Sequence, residues 1–155
     1  MKPFTIALLV TSLFLPDKQV MAQQNNPNYD AKLAAKLGAD DYGMKSFYLV
    51  ILKSGNNKTT DTEKKRKAFR GHLDNINRLV ADKKLIVAGP LAKNDKAYRG
   101  IFILDVSTEA QALELLKTDP AINADYLQAD MYQWYGSAAL AEYLPASDKV
   151  WKINP

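Results

Sequence analysis

Apolar positions in this chain fall into short blocks separated by polar turns. Phe47 to Leu52 is an unbroken run of β-formers closed by Ser54, Gly55, Asn56 and Asn57, and it predicts a first strand. Thr60, Asp61, Thr62 and Glu63 have the spacing of a capping box with Thr60 as cap, so a helix is expected from there to about Asp82. Leu85 to Leu91 predicts a second strand, Lys93 to Lys96 a turn, and Gly100 to Val106 a third strand. Ser107 and Thr108 cap a second helix through Lys117, with Ala112, Leu113 and Leu116 at helical spacing. Asp119 and Pro120 stop it, because a residue before proline avoids the helical region. Asp130 to Tyr135 alternates as a fourth strand. The order β-α-β-β-α-β predicts an α+β, ferredoxin-like domain with an antiparallel sheet over residues 46–136.

The first and third strands are apolar at successive positions, whereas a sheet with one wet face alternates. Two helices cover one face only. Either a second copy of the chain or the terminal extensions must cover the other. The second copy is the simpler solution, so a homodimer of the dimeric α+β barrel type, sheet facing sheet, is expected.

The ends read differently. Lys2, an apolar run from Phe4 to Leu15, and small residues at Val20 and Ala22 before Gln23 follow the order of a secretory leader. The run is 12 residues long, too short to span a bilayer, which needs about 20. Residues 1–22 are therefore expected to be a signal peptide, with the mature protein exported, periplasmic or secreted, and not membrane-bound after its removal. Residues 23–45 read as an extension with a polar start and a short helix from Tyr29 to Leu37, stopped by Gly38. The tail, 137–155, carries Tyr143, Leu144, Val150 and Trp151, apolar enough to pack on the domain or its partner.

The chain has no cysteine, which excludes disulfides and thiol chemistry. Its formal charge of +4 is too mild to name an anionic partner. Ile101 and Ile103 stand where an RNA-binding sheet of this strand order needs aromatics, so no nucleic-acid partner is expected. One histidine and no cysteine argue against a metal, and there is no glycine-rich nucleotide loop, so no cofactor is expected.

The single histidine, His72, lies in the segment FRGHLDNI of the first long helix. At about 100° per residue from Phe69, Leu73 falls near +40°, Ile76 near −20°, Val80 near +20° and Leu79 near −80°. His72 falls at about −60°, inside this apolar stripe, and Asp74 at about 140°, on the far side. A ring in such surroundings needs an acceptor for its N–H. Two readings are open: a core imidazole bonded to backbone, or a general base on a pocket wall. Other candidates have equally plain alternatives. Arg99 clamps a substrate carboxylate or is a solvated strand end. Gly89 and Pro90 admit a ligand or bend a sheet edge. Tyr48 and Trp134 line a pocket or fill the core. Lys64 to Lys67 bind phosphate groups or form a wet helix face.

The segments YLVILKSG, RGHLDNINRLV, KKLIVAGPL, YRGIFILDV and LLKTDPAI resemble the YCII-related (YciI-like) family over about 90 residues, from Phe47 to Gly136. The AGP after the histidine helix and the DP after the second helix are the most specific elements. One residue separates Arg70 from His72 where the commoner form has two, and Phe69 takes the usual place of the arginine. The resemblance implies a dimeric α+β barrel and a His–Asp pair, here His72 with Asp119, doing proton-transfer or elimination chemistry. The expectation is a small exported enzyme acting on a small molecule, with His72 as base, Asp119 orienting it, and Arg99, Tyr48, Gly89 and Pro90 around the substrate. The alternative is a non-catalytic ligand-binding or structural dimer.

Overall fold

The computed structural model describes residues 26–152; the expected leader at 1–22 lies outside them. The elements are α1 (Ala31–Leu37), β1 (Met44–Ser54), α2 (Thr62–Ala81), β2 (Leu85–Pro90), β3 (Tyr98–Leu104), α3 (Glu109–Leu116), α4 (Pro120–Asn123) and β4 (Leu127–Ser137). A 3-10 turn, Ala138–Tyr143, and a short helix, α5 (Leu144–Ser147), follow. The strands form one sheet in the order β2-β3-β1-β4, with every neighbouring pair antiparallel. This agrees with the ferredoxin-like order expected from the pattern.

The strands β1 and β4 are longer than their apolar runs. They pair continuously from Met44 opposite Ser137 to Ser54 opposite Leu127. Polar ends join the ladder because they find partners: Lys45 reaches Asp105 at 2.8 Å and Lys53 reaches Asp130 at 2.7 Å. The cap of α2 is corrected by one residue, since Asp61 rather than Thr60 accepts from the Lys64 amide at 3.0 Å. A carboxylate is at least as good an N-cap as a hydroxyl, and Glu63 turns to Arg66 at 2.6 Å instead of closing a box. Thr108 caps α3 as expected, and the structure adds a full capping box, with Gln111 bonding back to the cap amide.

Alternation along the strands makes two unlike faces. Tyr48, Val50, Leu52, Phe102, Leu104 and Leu127 turn to one side and pack with Leu79 of α2 and Ala112 and Leu116 of α3. On the other side Leu49, Ile51, Ile101 and Ile103 are only half-buried, and Tyr132 is 53 % exposed. Phe47 is fully buried on that side and pairs with Trp134 at 5.6 Å between ring centroids. Trp134 lies over Gly136, where a Cβ would come within 2.4 Å of the indole. Trp134 is thus remote from the helix-covered face.

Both extensions pack against this domain. Asp30 caps α1 through the Lys32 and Leu33 amides, and Gly38 ends it at φ 69°. Lys36 meets Glu142 of the tail at 3.4 Å, Ala138 N–H donates to Gly43 C=O, and the Tyr143 hydroxyl donates to the Ile86 carbonyl of β2. Among the described residues no helix is long and apolar enough to cross a membrane.

Candidate active site

The site begins with a dipeptide, Asp119-Pro120. Pro120 takes the first position of α4, where its missing N–H is no loss. Asp119 caps that helix, its Oδ1 accepting from the amides of Ala121 at 2.9 Å and Ile122 at 3.3 Å. The sequence pattern marks Asp119 as the end of one helix; the fold also uses it to start the next. Its second oxygen, Oδ2, lies 2.6 Å from Nδ1 of His72. Asp119 is completely buried, and the His72 side chain is 12 % exposed.

A carboxylate only accepts, so Nδ1 carries the proton and donates it to Asp119. In the neutral ring Nε2 then keeps its lone pair. It has no hydrogen-bond partner among the described residues, and no buried side-chain nitrogen or oxygen there is left unpartnered, so Nε2 is open to solvent. The ring is gripped from two sides: Phe102 stacks on it at 5.8 Å and Phe69 meets it edge-on at 6.2 Å. The alternative of a core imidazole bonded to backbone does not describe this contact.

Four residues without a role in the sequence reading, Gly71, Asn75, Arg78 and Thr118, bring the two partners together. Gly71 precedes His72, and a Cβ there would lie 2.8 Å from Cγ of Pro120. Asn75 is buried and accepts from Arg78 Nη2 at 2.7 Å. The same Arg78 nitrogen donates to the Thr118 hydroxyl at 2.8 Å, tying α2 to the residue beside Asp119. A glycine inside an amphipathic helix costs about 0.5–1 kcal/mol relative to alanine, and that cost was the available signal that something packs against it. Asn75 and Thr118 are 43 residues apart, and nothing local in the sequence pairs them.

His72 opens on a cleft of about 360 Å³ between α2 and the β2–β3 edge. Leu52, Phe69, Leu73, Ile76 and Phe102 make its apolar walls, and Gly89, Pro90 and Arg99 its rim. The structure thus brings His72, Gly89, Pro90 and Arg99 to one cleft with Asp119 behind the ring. Tyr48 is not there, and its expected place at the substrate is corrected. It points to the core side opposite Leu104, 9 % exposed, and Leu52, two pleats further along the same face, lines the cleft instead. Arg99 Nε donates to Ser54 Oγ at 2.5 Å, so it is more than a loose strand end. Close backbone approach is required at Gly100, whose Cβ would lie 2.7 Å from the Gly89 carbonyl oxygen; a Cβ on Gly89 itself would meet open space. Arg70 is exposed and Lys64 pairs with Asp61 at 3.4 Å. Among the described residues no three His, Cys, Asp or Glu side chains are grouped to hold a metal ion.

The family model of the YCII-related domain matches residues 46–134, more than half of the chain. The chain belongs to the YCII-related family. The match runs from within β1 to within β4 and so takes in both halves of the His72–Asp119 pair. No curated protein matches the chain. A solved structure similar to this YCII-related chain is the 5-chloro-2-hydroxyhydroquinone dehydrochlorinase (TftG) from Burkholderia phenoliruptrix AC1100, in complex with 2,5-dihydroxybenzoquinone. The two share 18% identity with a TM-score of 0.41, over 56% of this chain and 92% of that one.

Proposed function

We propose that this YCII-related protein is an enzyme that moves a proton on a small organic molecule, with His72 as general base and Asp119 as the residue that orients it. The observation that carries the reading is the hydrogen bond of 2.6 Å from His72 Nδ1 to a buried carboxylate, with Nε2 left over for the cleft. In the reaction Nε2 takes the proton of an acidic C–H or O–H. For an elimination, the C–H electron pair becomes the new double bond as a β-substituent departs with its own bonding pair. The imidazolium then returns its proton to that group or to water. Asp119 stabilises the imidazolium, and its two amide bonds keep it from turning away. A substrate bound against the apolar walls displaces the water that otherwise reaches Nε2.

The protein is a homodimer in this reading. The half-buried face of Leu49, Ile51, Ile101 and Ile103 supports it, because a second copy of that face is self-complementary across a two-fold axis. Export follows from the leader pattern at 1–22 and is tested by sequencing the N-terminus of the mature protein.

The catalytic reading is tested by incubating the protein with a panel of small carbon acids in D2O and following loss of C–H signals by NMR. At least one member should exchange, and His72→Asn should slow that exchange by about a hundredfold or more. A panel left untouched, or exchange equally fast in His72→Asn, counts against the assignment.

A further inference from the structure

The cleft beside His72 does not end at Arg99. A second hollow of about 570 Å³ lies beyond it, and Phe69, Arg99 and Leu127 line both. The two differ sharply in chemistry. The first is walled by aliphatic and aromatic side chains, and Arg99 is the one charged residue among those lining it. The second is lined by Ser54, Asn57, Lys58, Thr59, Lys65 and Arg99, with three cations and no carboxylate. Among the described residues neither Lys58, Lys65 nor Arg99 forms an ion pair, and here the three converge on one hollow. Converging cations without a counter-charge repel one another, and an anion placed between them relieves that repulsion.

This basic hollow is preformed. Its floor is the loop after β1, held to the α4–β4 turn by Gly55 N–H on Tyr126 C=O at 2.9 Å and Asn57 N–H on Asp125 C=O at 2.9 Å. The Asn57 side-chain amide adds a bond to the Ala124 carbonyl at 2.8 Å. A Cβ at Gly55 would lie 2.0 Å from the Asp125 carbonyl oxygen, so only glycine permits this closeness. Lys58 Nζ spends one donor on the Gly55 carbonyl at 3.1 Å, and Arg99 spends Nε on Ser54. The two terminal nitrogens of the Arg99 guanidinium remain for a planar, two-oxygen acceptor.

We propose that the two hollows are one binding site for an amphiphilic organic acid. The apolar body lies along the cleft wall of Leu52, Leu73 and Ile76 against Nε2 of His72, and the carboxylate lies on Arg99 with Lys58 and Lys65 beside it. The proposal rests on the proton-transfer reading for the reacting end of the molecule and adds the charge at its other end. It makes Arg99 the residue that selects acids over neutral analogues of the same shape.

The test compares 3-phenylpropionate with 3-phenylpropanamide, an uncharged molecule of nearly the same outline, by NMR titration of the whole protein at low salt. The acid should bind about tenfold or more tightly than the amide, shifting the His72 ring signals together with the amides of Lys58 and Lys65. Arg99→Ala should abolish the preference by weakening the acid more than the amide, Arg99→Lys should restore part of it, and Lys65→Ala should reduce it severalfold. Arg99 and Lys65 are surface residues, and thermal melts of the variants check that the fold is kept. Equal binding of acid and amide, a preference unaffected by Arg99→Ala, or no saturable binding of the acid at millimolar concentration overturns the proposal. His72→Asn should still hold the acid. Acid selectivity that persists while no carbon acid exchanges removes the proton-transfer reading alone, and exchange without acid selectivity removes this inference alone.

Discussion

Gly71 of α2 and Pro120 of α4 are in contact so close that any side chain at 71 would collide with the proline ring, 2.8 Å from the position of its Cβ. The proline ring is rigid and follows Asp119 directly, so this contact sets how near the carboxylate comes to His72. In an exposed helix Gly→Ala stabilises by about 1 kcal/mol. Here the sign should reverse. Gly71→Ala is expected to destabilise the protein by about 1–3 kcal/mol in urea unfolding, because overpacking outweighs the propensity gain. The low-field Nδ1 proton signal of His72 should move upfield as the bond to Asp119 lengthens.

The pair itself is a buried acid held by one imidazole and two amides. His72→Phe should cost about 3 kcal/mol or more, because Oδ2 of Asp119 is left without a partner in a dry site. Adding Asp119→Asn to His72→Phe should recover part of that loss. Chemical denaturation of the two singles and the double measures it; strict additivity would mean that the two side chains are energetically independent.

Asp119→Asn alone should leave the cap of α4 nearly intact, since its side-chain oxygen still accepts from Ala121 and Ile122. The amide then offers an N–H to Nδ1, so the imidazole proton moves to Nε2. Nitrogen-15 shifts of the ring report the switch of tautomer directly. Proton abstraction should fall by two to four orders of magnitude, roughly the loss seen when a triad aspartate is made neutral.

Asn75 and Thr118 are coupled directly, Thr118 Oγ1 lying 2.9 Å from Asn75 Oδ1, and through Arg78 Nη2, which donates to both. Asn75→Ala should destabilise by about 1–2 kcal/mol, because polar groups lose partners at a buried position, and Thr118→Val, at an exposed position, by about 0.5–1 kcal/mol. The double variant should cost less than the sum by about 0.5 kcal/mol or more. A cycle closing at zero would sever the link between α2 and the Asp119 loop.

Asp40 sits at the turn into β1, and its carboxyl is held below the usual value, chiefly by the Tyr135 hydroxyl and then by the Met44 amide. Tyr135 is pushed up by the same bond. A depressed acid stabilises the fold above its unfolded value of 3.8, and that contribution disappears as pH falls through the folded pKa. A raised phenol works in the opposite sense: its contribution is complete below 10.0 and is lost as pH rises through the folded pKa. Tyr135→Phe should therefore move the Asp40 carboxyl titration, followed by carbon-13 NMR, upward toward 3.8. An unmoved titration would mean that the hydroxyl bond does not persist in solution.

Much of the fold was legible because local chemistry and the hydrophobic period agree along the chain. The four strands, the two helices that cover the sheet, the Thr108 cap and the Gly38 stop could all be located from residue types within a few positions of one another. Boundaries were misplaced where long-range partners extend an element, as the Lys45–Asp105 and Lys53–Asp130 pairs do for β1. Tyr48 was misassigned because alternation tells which face a residue takes but not which end of that face opens to solvent.

By itself the sequence determined the order of elements and the face of α2 that carries His72, since these depend on periodicity and on residue chemistry; Asp119 as its acid was implied only by the resemblance to the YCII-related family. The tertiary structure alone decided that Asp119 reaches Nδ1, that Gly71 and the Asn75–Arg78–Thr118 network hold it there, and that Arg99 joins an apolar cleft to a basic one. Those relations join residues far apart in the chain, where distance is set by packing and no local pattern records it.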